Sequence, residues 1–248
     1  MKVEINVPSS ISEITLEQYQ KFVKVNTEEN KDSSFLMHKT VEIFCNMDLK
    51  DIAKIKLTSV KEILDHLNKV FEVKSDLIPR FTLGGIEYGF ITQLDEMTLG
   101  EYIDLDENMS DWETMHKAMA VLYRPVIHKK GDRYKIKEYD GLDNSGEMKQ
   151  MPLEVVMGSM VFFLEFKRRI ATNYPELFEE GNEQQQYGST ENFTRKWGWY
   201  SSIYGLSKGD VSKYDTITKL NVHQCLMFLA FEKEKTQIEM QRIKSKQR

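Results

Sequence analysis

The chain has 248 residues and a formal net charge of -5, with 40% hydrophobic and 29% charged residues. That balance belongs to one large or two small globular domains, and excludes a disordered polyampholyte. Its acidic sign argues against a protein dedicated to coating nucleic acid, while leaving room for a local basic patch.

Cys45 and Cys225 stand alone, without CxxC or metal-ligand spacing, which fits a reducing compartment. The longest apolar run, 155–164, is interrupted by Gly158 and Ser159. It falls far short of the about 18 residues of a membrane span. The opening MKVEINVPSS lacks the apolar core of a signal peptide.

In chain order, alternation over 2–7 closed by Pro8 predicts a short edge strand. Thr15, with Gln18 three residues on, predicts a capped helix over 15–25 that buries Leu16, Tyr19, Phe22 and Val23. A polar loop follows, then a helix over 35–45 with Leu36, Val41, Phe44 and Cys45 apolar. A third helix over 57–73 is expected to open at Thr58 or Ser59, with Glu62 closing a capping box. Its stripe is Ile63, Leu64, Leu67, Val70 and Phe71.

Residues 80–92 read as two short strands around Gly84-Gly85, a hairpin that must pack on helices or extend a sheet. Next, Glu96-Met97-Thr98-Leu99 with Tyr102 repeats Glu13-Ile14-Thr15-Leu16 with Tyr19. A shared capping signal accounts for so short a match, and a duplicated subunit would need longer similarity. A helix over 112–123 should end at Arg124-Pro125. A strand over 133–139 is expected to pair with 126–129 across Lys130-Gly131-Asp132. After a loop at 140–146, Pro152 at the first helical position opens a helix to about residue 172 that carries Phe162, Phe163 and Phe166.

The segment 179–190, EEGNEQQQYGST, is the most loop-like of the chain. It is read as the boundary between an N-terminal helical region with a β-ribbon (1–178) and a C-terminal helical hairpin (191–248). In that hairpin, Phe193, Trp197, Tyr200 and Tyr204 recur at the spacing of one helical face. Gly205 is placed as the helix's C-terminal cap and 207–210 as a turn. A second helix follows with Val222, Cys225, Leu226, Leu229 and Ala230 apolar, and 231–248 continues it, its last part polar all round. The expected fold class is mainly α with a small β component (α+β).

No residue set announces chemistry. Of His38, His66, His116, His128 and His223, only His66, beside Asp65 and Glu62, has neighbours in a ligand order, and His116 lies beside Glu113 on one helix; solvated or hydrogen-bonded histidines are expected. Glu101, Asp104, Asp106 and Glu107 lack EF-hand spacing and read as a solvated helix end. Gly84-Gly85 lacks a phosphate-binding pattern. No catalytic, cofactor or metal residue and no small-molecule substrate is assigned. Two candidate surfaces remain. The aromatic group Trp197, Trp199, Tyr200 and Tyr204 is a packing or partner surface. The basic tail, with Arg242, Lys244, Lys246 and Arg248, either contacts phosphates or an acidic protein groove, or simply complements the helix dipole.

The runs 96–106 and 115–125 resemble structural-gene products of tailed bacteriophages, especially crAss-like phages of gut Bacteroidetes. The Trp197-Gly198-Trp199-Tyr200 helix, followed by Lys219-Leu220 and the helix over 226–233, is similar to the C-terminal part of phage tail-assembly-chaperone-like proteins. The resemblance covers about residues 80–235 and rests on packing and capping motifs. It implies a virion or virion-assembly protein without enzymatic activity, located in the virion or in the host cytoplasm during assembly. Its partners would be portal, tail or capsid-associated proteins, and a packaged cargo role belongs with it. The alternative from another class is an adaptor that contacts nucleic acid through the basic tail.

Overall fold

The computed structural model describes residues 5–31, 33–143, 145–178 and 189–246, with the backbone alone over 189–195. The chain is mainly helical with a small antiparallel sheet, in agreement with the fold class read from sequence. In order the elements are α1 (Leu16–Val25), α2 (Ser34–Cys45), α3 (Leu49–Ile52), α4 (Leu57–Phe71), β1 (Arg80–Leu83), β2 (Ile86–Phe90), α5 (Leu99–Asn108) and α6 (Met115–Leu122). Then come β3 (Tyr123–Lys130), β4 (Arg133–Ile136), α7 (Leu153–Asn173), α8 (Pro175–Phe178), α9 (Ser189–Ser207), α10 (Tyr214–Thr218) and α11 (Val222–Lys246).

Two compact units divide these elements: 1–91 with 108–162, and 92–107 with 163–248. The chain therefore passes between units more than once, because the short segment 92–107 packs with the C-terminal helices rather than with its sequence neighbours. Of the boundary loop expected over 179–190, residues 179–188 lie outside the described residues and 189–190 already belong to α9.

In the first unit α1 begins at a complete capping box. The Thr15 hydroxyl accepts from the Gln18 N–H, and the Gln18 side chain accepts from the Thr15 N–H. Leu16 and Phe44 are buried, and the rings of Tyr19, Phe22, Phe44, Phe71 and Trp112 form a chain with adjacent centroids 4.5–6.2 Å apart. Such aromatic contacts add to plain area burial. The third predicted helix starts one residue before Thr58, after Lys56, and no side chain caps it. Its tertiary stripe holds it instead, with Val60, Ile63, Leu67 and Val70 buried.

The two predicted hairpins join as one sheet of order β1-β2-β3-β4. The joining pairs are Tyr88 with Pro125, Gly89 with Arg124 and Phe90 with Tyr123. The helix expected over 112–123 is shorter, and Tyr123 is already extended (φ -119°, ψ 120°). Burial explains the early switch: Tyr123 packs against Phe81 and Phe90, and its hydroxyl donates to the Ile78 carbonyl at 2.8 Å. On β4, Tyr134 reaches over Gly89 and donates to the Phe90 carbonyl at 2.9 Å, so the lack of a β-carbon at 89 is what admits its ring. The edge strand predicted over 2–7 does not form at Ile5–Val7, and residues 1–4 lie outside the described set.

Both units repeat one device. In the first, the Leu16 N–H donates to the Met151 carbonyl and the Leu153 N–H donates to the Ile14 carbonyl, bridging Thr15 and Pro152. In the second, Leu99 donates to Leu220 and Val222 donates to Met97, bridging Thr98 and Asn221. Each bridge joins the residues just before two helices and satisfies N–H groups at both helix starts. Pro152 therefore sits in the bridge, one residue before the helix it was expected to open.

Candidate partner surface

The second unit is built on Met97, Leu99, Tyr102, Leu105, Phe163, Ile170, Val222, Cys225 and Leu226, all almost wholly buried. Against Leu99, Ile103 and Cys225 pack Trp199, Ile203, Leu206 and Ile217. The aromatic helix thus does anchor here, but through one of its two tryptophans.

Gly198 decides which. Its backbone (φ 36°, ψ -122°) is non-helical and breaks α9, a conformation that a residue with a β-carbon strongly resists. The unbroken helical face read through Phe193, Trp197, Tyr200 and Tyr204 is therefore corrected: the spacing rule holds only where the helix is continuous. The side chain of Phe193 lies outside the described set. Trp199 turns inward. Its Nε1–H donates to Asp106 at 3.0 Å, and its ring meets Tyr102 edge-on with centroids 5.5 Å apart.

Trp197 remains 40% exposed, Tyr200 50% and Tyr204 57%, so these three are surface residues. They are ordered among themselves. The Lys196 ammonium lies 4.9 Å from the Trp197 ring centre, Trp197 and Tyr200 are 5.5 Å apart, and Tyr200 meets Tyr214 at 5.7 Å. The hydrogen bond with Tyr200 raises the pKa of the Tyr214 hydroxyl. The helix ends later than Gly205: Lys208 and Gly209 take left-handed φ values of 55° and 80°, and the Gly209 N–H donates to the Tyr204 carbonyl. A glycine at 209 also lets the Tyr204 ring lie close against the turn.

On α11, Val222, Cys225 and Leu226 face the core, while Met227 and Phe231, one turn apart, are 65% and 60% exposed. Beyond Phe231 the helix runs on to Lys246 with Ile238, Met240 and Ile243 exposed. Arg242, Lys244 and Lys246 are exposed along its last turns, and Arg248 lies outside the described residues.

A constellation that sequence spacing did not reveal sits beside the Thr98–Asn221 bridge. The Asp95 carboxylate accepts from Arg169 at 2.8 Å and from His223 Nε2 at 3.0 Å. A carboxylate can only accept, so Nε2 donates to it, while Nδ1 lies 3.0 Å from the Tyr174 hydroxyl, which also donates to the His223 carbonyl at 3.3 Å. Burial raises the pKa of Tyr174, the opposite of what an activated nucleophile needs. Arg169 also occupies both carboxylate oxygens. The arrangement suits a structural clamp between α7, the turn before α5 and the start of α11. No signal pointed to it, because residues 95, 169, 174 and 223 converge only in the fold.

The first unit carries a cleft of about 290 Å³ bordered by Tyr88, Arg124, Lys137, Asp140 and Glu147. Along it Tyr88 donates to Glu147 at 3.1 Å, Lys137 pairs with Asp140 at 2.6 Å, and Arg124 lies over the Tyr139 ring. Among the described residues, no helix is long and apolar enough to cross a membrane. No family model, curated protein or solved structure matches the chain.

Proposed function

We propose that this chain is a non-enzymatic component of a tailed-phage particle or of its assembly, working through protein–protein contacts in the tail or portal region or as packaged cargo. The observation that carries the reading is the exposed aromatic group Trp197, Tyr200 and Tyr204 on α9, with Met227 and Phe231 also exposed on α11. Aromatic and methionine side chains left in water at this density suit a contact surface, since such residues dominate interface energetics. The resemblance of 80–235 to phage structural proteins supplies the particle. The polar clusters support a non-catalytic reading, because their members are tied to one another in ways that hold the fold.

Quantitative mass spectrometry of purified particles tests this. A fixed copy number is expected, together with reduced incorporation of a Trp197→Ala/Tyr204→Ala variant that folds normally. Absence from both mature particles and assembly intermediates overturns it. A second reading, contact with nucleic acid through the tail, is favoured by Arg242, Lys244 and Lys246, which are exposed and without an ion-pair partner among the described residues. Substituting all three with serine would then abolish a salt-dependent DNA affinity.

A further inference from the structure

A second basic feature of this acidic protein, separate from the tail, is the ribbon of β3 and β4. Residues 126–137 read VIHKKGDRYKIK, and Asp132 in the turn is the single acid among them. The ladder of β3 with β2 stops at Pro125, whereas β3 and β4 stay paired from Val126–Ile136 to Lys130–Arg133. A two-stranded ribbon therefore extends past the rest of the sheet.

Register sorts its side chains. Directly opposite residues share a face, so Lys129 lies on the side of Tyr134, which with Ile136 meets Gly89. On that side Lys129 and Arg80 are neutralised by Glu87, at 2.9 and 3.2 Å. The other face carries Lys130 opposite Arg133 and His128 opposite Lys135, all exposed. Among the described residues no carboxylate pairs with any of these four. Like charges directly opposite on a ladder are destabilising. Folding alone would favour a glutamate at one of the two positions, as the Glu87 face illustrates.

We infer that this face of the β3–β4 ribbon binds the phosphate backbone of duplex nucleic acid. The charge is complementary, and rows about 5 Å apart across the strands and about 6.6 Å along them present cations as a grid. A two-stranded ribbon is also one of the shapes that the major groove of B-DNA admits. This inference stands apart from the aromatic partner surface.

The test uses the full chain and a mixed-sequence DNA duplex of about two helical turns, followed by fluorescence anisotropy between about 50 and 200 mM salt. Wild type should bind with a steep salt dependence. Lys130→Ser/Arg133→Ser/Lys135→Ser should weaken binding at least about tenfold at the lowest salt and flatten the log–log slope by about 2–3. Lys61→Ser/Lys69→Ser, two exposed lysines on α4 outside either basic surface, should leave both unchanged. A single Lys130→Glu change should weaken binding while raising the melting midpoint, because it places a carboxylate opposite Arg133. Wild-type-like binding by the ribbon variant, loss only in the tail variant, or no duplex binding at the lowest salt overturns the inference. So does ribbon-dependent binding to phosphatidylserine vesicles without duplex binding, which would assign the face to a membrane surface.

Discussion

Thr98 caps α5 through its side chain and pairs through its backbone with Asn221, the residue that precedes α11. The Glu101 carboxylate completes the cap by accepting the Thr98 N–H at 2.6 Å. Thr15 stands in the same relation to Gln18 and to Pro152 in the first unit. The seven-residue likeness between 13–19 and 96–102 therefore marks more than a shared cap. Each segment opens a helix and locks it to the start of a second helix from a distant part of the chain.

Loss of that cap should be measurable. Thr98→Ala is expected to cost about 1 kcal/mol in urea unfolding. In a double-mutant cycle with Glu101→Ala the two changes should be clearly non-additive, because they remove one reciprocal pair of bonds. Additive losses would show that the bridge alone holds the helix start.

Gly158 on α7 is a packing requirement. A β-carbon there would collide with the Asp76 carbonyl oxygen, which is backbone and cannot swing away. Gly158→Ala should destabilise by about 1–3 kcal/mol despite the better helix propensity of alanine. Gly205→Ala, where a β-carbon meets open space, should be neutral or stabilising in the same thermal melts.

The two tryptophans should separate cleanly. Trp199→Ala removes a ring packed on Tyr102 and leaves Asp106 without that donor, a loss of about 3 kcal/mol. Trp197→Ala should stay within about 1 kcal/mol of wild type. Equal losses would place both rings in the core.

His116 gives the stability of the first unit a pH dependence. Burial lowers its pKa, helped by the nearby Lys149 and Lys117 ammonium groups, while the buried Gln20 amide lies 3.3 Å from Nδ1. The unfolded chain therefore takes up a proton before the folded one does, and stability must fall as pH drops below the ordinary imidazole value of about 6.5. His116→Gln should show a smaller fall in melting midpoint than wild type between about pH 7 and 5. An identical fall in both would exclude His116 as the source.

The sequence by itself determined what depends on neighbours within a few residues. The Thr15–Gln18 cap, the Gly84-Gly85 turn and the stripe of α4 are local patterns of hydrogen bonding and periodicity, and they hold in the fold. What only the tertiary structure decided depends on residues brought together from far apart. The burial of Tyr123 ends a helix and starts a strand, so two hairpins become one sheet. The left-handed turn of Gly198 separates Trp197 from Trp199, because helical spacing assigns faces only while the backbone stays helical. The Asp95–His223–Tyr174 clamp and the pairing of Thr98 with Asn221 have no local signature, since hydrogen bonds across 49 to 128 residues leave no spacing to read.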